Sequence, residues 1–361
     1  MKKTLKCIGW ILLILVILVA AGVGVLTIAE YRPADRETVI EPHAAEASLK
    51  PGDSLTLVTW NLGYGALGDN ADFFMDGGTG VYTADRDRVA KNLAGIRETL
   101  ASMDADIILM QEVDIHSDRS YGTDERTSLD GVIPGAYTAF AYNFKALYVP
   151  YPLPMIGHVE SGLYTVSRPE IRTAERVSLP CPFAWPIRTV NLKRGLLVSR
   201  IPLQDTDREL VIVNLHLEAY DSGEGKEAQT RALLDVILPE AAAGNYVIAG
   251  GDFNQRFSNI DSGIYPLREG LWQPGVIDVE DFAPDFTLLM DPETPTCRSL
   301  DKPYAGENPA GFQFYMIDGY IVSANVRVES VETVDCGFVN TDHNPVRLRV
   351  TLAEADEAAG E

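Results

Sequence analysis

Cysteine is scarce in this chain, with four in 361 residues. Cys7 falls in an apolar N-terminal run, which leaves Cys181, Cys297 and Cys336 as an odd set without paired spacing. That argues against a disulfide framework or a cysteine-built zinc module as the organising feature. Basic residues are short as well: 30 Lys and Arg stand against 52 Asp and Glu, for a formal net charge of −22. Over roughly a Debye length of 8 to 10 Å such a field repels polyanions, and the basic excess of a tight DNA binder is missing. Low-complexity and collagen-like repeats are absent too. The 46% hydrophobic content therefore describes an ordinary globular chain with material for one large core or two smaller ones.

What is present begins at the N-terminus. A basic end, residues 1–6 with Lys2, Lys3 and Lys6, precedes an uncharged apolar run over residues 7–29. As a helix that run is long enough to cross about 30 Å of hydrocarbon. Basic residues favour the cytoplasmic side, so the expectation is a single-pass membrane anchor with the rest of the chain outside the cytoplasm. Without those three lysines the net charge of −22 becomes −25 for the outward part. The competing reading is secretion after signal cleavage near Ala21, where "LVAAG" offers small residues, but a typical signal core is shorter. Residues 30–53 hold three prolines and mixed charges without periodicity and read as a linker. Residues 54–352 read as one domain, and residues 353–361 as an acidic tail.

Within the domain, "LTLVTWN" is a β-prone run ending at Asn61. Val89, Leu93, Ile96, Leu100 and Met103 then recur at helical spacing, and "DIILMQEV" follows as a buried strand ending in Gln111 and Glu112. The pattern returns in "ELVIVNLHL", which carries Asn214 and His216, the helical "KEAQTRALLDVIL", and "YVIAGGDFN" with Asp252 and Asn254. "RGLLVSRIPLQDTDRELVIVNLHL" reads as a hairpin turning at Asp205 to Asp207. Two later strands contain Asp318 and follow Asp342 and His343. Strands alternating with helices in some places and following one another in others suit mixed sheets packed face to face.

These polar strand ends form six signatures: Asn61, Glu112, Asn214 with His216, Asp252 with Asn254, Asp318, and Asp342 with His343. Residues two apart on a strand share a face, so each strand pair is expected to aim at a common point. Burying several carboxylates together is costly without a cation or protons, which favours a metal site. Oxygen donors with few histidines and no paired cysteines suit a hard cation, Mg²⁺, with Mn²⁺ as the alternative. Such a site suits phosphate ester hydrolysis.

In chain order, "TWNLGYG", "LMQEVD", "VNLHL", "AGGDFN", "MIDGYI" and "TDHNPV" resemble the endonuclease/exonuclease/phosphatase superfamily. That superfamily includes deoxyribonucleases, bacterial sphingomyelinases and inositol polyphosphate phosphatases. The resemblance covers nearly all of residues 54–352 and implies an α/β four-layer sandwich of two facing mixed β-sheets flanked by helices. It implies Glu112 as principal metal ligand with Asn61 and Asp342 near the ion. Asp252 and Asn254 would position water and phosphate, Asn214 would contact the phosphate, His216 would contact it or assist the leaving oxygen, and Asp318 would orient His343, with either Asp252 or His343 taking the water's proton. Thr341 and Gly319 depart from the usual pattern without removing any of these groups. The expected function is a divalent-metal-dependent phosphoesterase acting on a lipid headgroup, a nucleotide or another phosphate ester. The alternatives are a nuclease acting on DNA or RNA and a non-catalytic binding protein on the same scaffold.

Substrate choice is expected to rest on residues 114–188, where "YNFKALYVPYPLP" crowds aromatics and prolines. Stacking on bases and contact with lipid headgroups are both open, but the expectation is that these side chains pack beneath a long loop. Arg119, Arg126, Lys145, Arg188, Lys193 and Arg194 are candidate phosphate partners.

Overall fold

The computed structural model describes residues 2–354 except 222, 262 and 305–310, so most of the acidic tail lies outside the described residues. An N-terminal helix, α1 (Lys2–Ile28), precedes the domain. A seven-stranded sheet runs in the order β1 (Arg36–Ile40), β6 (Thr173–Ser178), β7 (Gly195–Pro202), β8 (Glu209–His216), β9 (Tyr246–Asp252), β15 (Asp318–Ser323) and β12 (Phe286–Leu289). Facing it, six strands run in the order β16 (Val326–Thr333), β17 (Val346–Leu352), β2 (Ser54–Asn61), β3 (Ile107–Asp114), β5 (Gly157–Ser167) and β4 (Tyr137–Val149). Two small pairs, β10 (Gln255–Phe257) with β11 (Gly275–Ile277) and β13 (Cys297–Arg298) with β14 (Phe314–Tyr315), complete the strands. The helices α2 (Arg86–Ser102), α3 (Glu125–Ser128) and α4 (Glu224–Ala242) lie among them.

Side-chain alternation builds the layers. Leu57, Leu109, Ile212 and Ile248 point between the two sheets into one apolar cluster. Their neighbours Val58, Trp60, Ile108 and Met110 turn outward beneath α2, where Val89, Leu93, Ile96 and Leu100 meet them. On the opposite side Val211, Val213, Val247 and Ala249 meet Leu233 and Ile237 of α4. Strands covered on both faces read as continuous apolar runs, which is why these four were visible in the sequence. Each fully buried leucine contributes about 1.5–3 kcal/mol. Asp85 caps α2 by accepting a hydrogen bond from the Arg88 amide. Within the two large sheets the β2–β3 and β8–β9 pairs are parallel, each spanned by a helix, whereas β7 and β8 form the expected antiparallel hairpin.

The segment read as a linker is bound to the domain. β1 pairs antiparallel with β6, Leu49 bridges to Leu203, and Val39, Ile40 and Leu49 pack on the inter-sheet core. Only five residues long and half exposed, "RETVI" is too short for its alternation to stand out between prolines.

Candidate active site

The parallel strands deliver their C-terminal ends to one edge of the sandwich. Asn61 closes β2, and Asp252 closes β9 directly opposite both His216 of β8 and Asp318 of β15. Glu112 sits where the β3–β5 register shifts between Met110 and Val113, with φ of 55°. This bulge turns its carboxylate toward the sheet edge. His343 arrives on the loop before β17, paired by a bridge to Cys297, and its carbonyl accepts a hydrogen bond from the buried Trp60 indole. The strand end "AGGD" needs its glycines for packing. A Cβ on Gly250 would lie 2.5 Å from the Tyr320 ring, and one on Gly251 would lie 1.9 Å from the Leu215 carbonyl oxygen.

One oxygen, Asp252 Oδ2, is the centre of the arrangement. Asn61 Nδ2 donates to it at 3.0 Å, His216 Nε2 lies 3.5 Å away and His343 Nε2 3.9 Å. Glu112 Oε1 is 3.4 Å from Asn61 Nδ2 and 3.9 Å from His216 Nε2. His343 Nδ1 meets Asp318 Oδ2 at 2.8 Å, which leaves Nε2 for the cavity. Asp342 accepts from Thr341 Oγ1 at 3.2 Å and groups with His343 and Cys297. Asn254 lies two residues beyond the end of β9 with φ of 52°, its amide N–H donating to Asp252 Oδ1 at 2.8 Å. Its convergence with Asp252 is thus the work of a turn and not of strand alternation.

Asn214 is the exception. It shares the His216 face but lies about 7 Å deeper along the strand. There its amide donates to the Met110 and Tyr164 carbonyls and accepts from Gln111 Nε2 at 2.8 Å. It ties the two sheets together beneath the site and does not line the cavity, so the structure does not bring it to a phosphate.

Electrostatics divide the groups sharply. Burial, reinforced by Asp318, pushes the Asp252 carboxyl up to about 7, and burial also raises Glu112 and Asp342. Asp76, brought in by a loop, is likewise pushed up to about 7 by burial and by Asp342. The two histidines move in opposite directions. Burial, Arg194 and the neighbouring His343 hold His216 well below its ordinary value. His343 is held well above: burial opposes its charge, but Asp318, which is hydrogen-bonded to Nδ1, and Asp342 outweigh it. Carboxylates raised by mutual burial are what a divalent cation would relieve, and Asp318 Oδ1 is buried without a partner. Burial pushes the Cys297 thiol up to about 12, so it stays protonated and the ready donors are oxygens. The oxygen-rich donor set fits a hard cation, for which Glu112, Asn61 and Asp342 would be the ligands.

A cavity of 430 Å³ opens above these groups. Arg119 reaches it from a bidentate pair with Asp114 at 3.0 and 2.9 Å, its guanidinium 3.7 Å from the centre of the Tyr64 ring. Arg194 is fixed by Glu218 at 3.4 Å and the His216 carbonyl at 3.1 Å. The other sequence candidates are committed elsewhere: Arg126 to Asp124, Lys145 to Glu160, and Arg188 and Lys193 to Glu30. Asp76, Tyr220 and Cys297 also line the cavity and escaped the sequence reading. Each comes alone from a loop, a single 3₁₀ turn or a two-residue strand, with no periodic signal around it.

Two facing mixed sheets flanked by helices thus bring buried carboxylates and two histidines to one edge. The family model described as the Endonuclease/Exonuclease/phosphatase family matches residues 58–343, and the chain belongs to that family, whose members are typically metal-dependent phosphodiesterases and nucleases. Among solved structures, an endonuclease/exonuclease/phosphatase from Beutenbergia cavernae is similar at 19% identity and a TM-score of 0.54, covering 84% of this chain and 72% of that one. A functionally unknown conserved protein from Enterococcus faecalis matches at 15% identity and a TM-score of 0.52, covering 82% of this chain and 99% of its own. An endonuclease/exonuclease/phosphatase from Bacteroides vulgatus matches at 15% identity and 0.51, covering 83% and 99%. At these identities the likeness shows the fold. No curated protein matches the sequence.

Proposed function

We propose that the protein is a membrane-tethered, outward-facing hydrolase that cleaves phosphate esters with a divalent cation, Mg²⁺ or alternatively Mn²⁺. The observation that carries this reading is the convergence of Asn61, His216 and His343 on Asp252 Oδ2, with Glu112 and Asp342 buried beside them. When bound, the cation would neutralise charge on the phosphoryl oxygens. The chain's own groups do the rest. Asp252, oriented by Asn61, accepts the proton of the attacking water. Asn254 is held by Leu217, to whose carbonyl Nδ2 donates at 2.9 Å, and fixes the Asp252 carboxylate through its own amide N–H. His343 presents Nε2 to the phosphate because Asp318 occupies Nδ1, and it donates a proton to the departing oxygen. Neutral His216 donates to a phosphoryl oxygen.

The test is hydrolysis of bis-nitrophenyl phosphate by the full chain in detergent with Mg²⁺, Mn²⁺ or Ca²⁺. Glu112→Ala and His343→Ala are expected to lower kcat by about 10²-fold or more while the chain stays folded. Unchanged turnover in both variants, or a folded wild type that cleaves no phosphate ester, refutes the proposal.

A further inference from the structure

Besides the acidic and histidine groups, the cavity is lined by an apolar patch, Phe144, Val149, Tyr151, Ile156, Ile187 and Val190, with Arg119 lying over the Phe144 ring. Several of these belong at the same time to another structure. Val149 and Val190 form a small apolar cluster against which Leu26 of α1 packs, together with Phe144 and Ile156. One face of this layer therefore lines the candidate active site and the other seats the N-terminal helix.

The junction is braced. The Trp185 indole donates to Thr27 Oγ1 at 3.0 Å, and Glu30, immediately beyond the helix, pairs with Arg188 at 3.3 Å and Lys193 at 3.5 Å. A helix rises about 1.5 Å per residue, so some 20 residues counted from Cys7 span the roughly 30 Å hydrocarbon core and end near Leu26. With the helix crossing the bilayer as proposed, the cavity wall stands at the level of the outer leaflet's surface. Around it, and contrary to the sequence expectation that this aromatic segment packs beneath a loop, Leu147, Tyr148, Tyr151 and Leu153 are exposed, Leu153 to 81%. Trp185, 57% exposed, and Ile187 join them from the neighbouring loop. Tryptophan and tyrosine collected beside the end of a membrane helix are what the headgroup region favours.

We propose that this site takes as substrate a phosphate ester borne by a lipid of the outer leaflet, its phosphate on the Asp252 side and the first part of its hydrocarbon along the Val149–Val190 wall. The proposal deepens the phosphoesterase reading and rests on it. Water adds to phosphorus, the ester P–O bond breaks, and the departing oxygen leaves as an alcohol, so no further reactant is needed. A nucleic-acid substrate would instead want free cations along a groove. Of the three arginines that line the cavity, Arg119 and Arg194 are paired with Asp114 and Glu218, and Arg298 is buried with its guanidinium donating to the Ser299 and Gly68 carbonyls.

The experiment uses the full chain reconstituted in vesicles. Hydrolysis of long-chain phosphatidylcholine, phosphatidylglycerol and sphingomyelin is compared with that of short-chain soluble analogues bearing the same headgroups, with bis-nitrophenyl phosphate and plasmid DNA in parallel. At least one long-chain lipid should be cleaved with a higher kcat/KM than its soluble analogue. The double variant Leu147→Glu with Leu153→Glu, outside the cavity, should lower that lipid rate by about tenfold, since two charges are placed at the interface. Its rate on bis-nitrophenyl phosphate should stay unchanged, which also reports that it is folded. Wild-type protein that cleaves neither bis-nitrophenyl phosphate nor any of the other esters defeats the phosphoesterase reading itself. Protein that cleaves a soluble ester but none of the vesicle lipids, treats long and short chains alike, or nicks plasmid preferentially defeats the lipid proposal alone.

Discussion

Asp318 does its work at one remove. It touches His343 and not the cavity, so it is a positioning residue whose contribution runs through the orientation and charge of the imidazole. Asp318→Asn keeps the shape of the side chain but removes the charge that helps hold His343 well above its ordinary pKa. The expected result is a fall in kcat of about 10²-fold with KM and thermal midpoint little changed, measured by steady-state kinetics on a small phosphodiester. A purely structural Asp318 would instead lower the thermal midpoint and leave kcat per folded molecule intact. At this scale the sequence was informative where a polar residue interrupts an apolar run, as at Asn61, Glu112 and Asp252. It was silent on depth. Asn214 and His216 look equivalent two residues apart, yet one stitches the sheets and the other faces the cavity, a distinction set by where the opposite sheet ends. Nor could it announce Tyr220 and Asp76, which meet at 3.3 Å from loops 144 residues apart.

At the scale of elements, legibility followed coverage. β2, β3, β8 and β9 lie between helices and the facing sheet, so their apolar character is unbroken; β1 covers only an edge and was read as linker. That edge strand has a measurable role. Val39, Ile40 and Leu49 each bury part of a side chain on the core, about 1 kcal/mol apiece, and their loss also uncovers the β6 edge. A chain begun at Asp53 should therefore melt roughly 5–10 °C below one begun at Glu30, as read by calorimetry. Equal midpoints would restore the free-tether reading of residues 30–53. The same strand explains how the helix can be held in place: with β1 stitched into the sheet, the chain has only residues 29–35 in which to swing.

The whole molecule joins an acidic exterior to an N-terminal helix long and apolar enough to cross a membrane, and under the proposed tether that join decides which surfaces meet the bilayer. α1 is unburied through its hydrophobic window and ends against the loops that wall the cavity, so the orientation of the helix would orient the site. The cysteines supply a direct probe of that orientation. Cys181 is exposed on the domain, Cys297 is buried, and Cys336 is half-buried with its thiol pushed up to about 11, chiefly by burial. Cys7, though exposed, lies in the apolar run and would be surrounded by hydrocarbon. A membrane-impermeant maleimide added to intact cells is therefore expected to label one site on the cell-bound chain, and Cys181→Ser should abolish the label. If Cys181 reacts only after lysis, the domain faces the cytoplasm and the outward topology is refuted. If the label appears instead on protein in the medium whose N-terminus begins near Gly22, the helix is a cleaved signal. Leu26, Thr27 and Glu30 would then remain on the domain, and the apolar wall would have lost its bilayer.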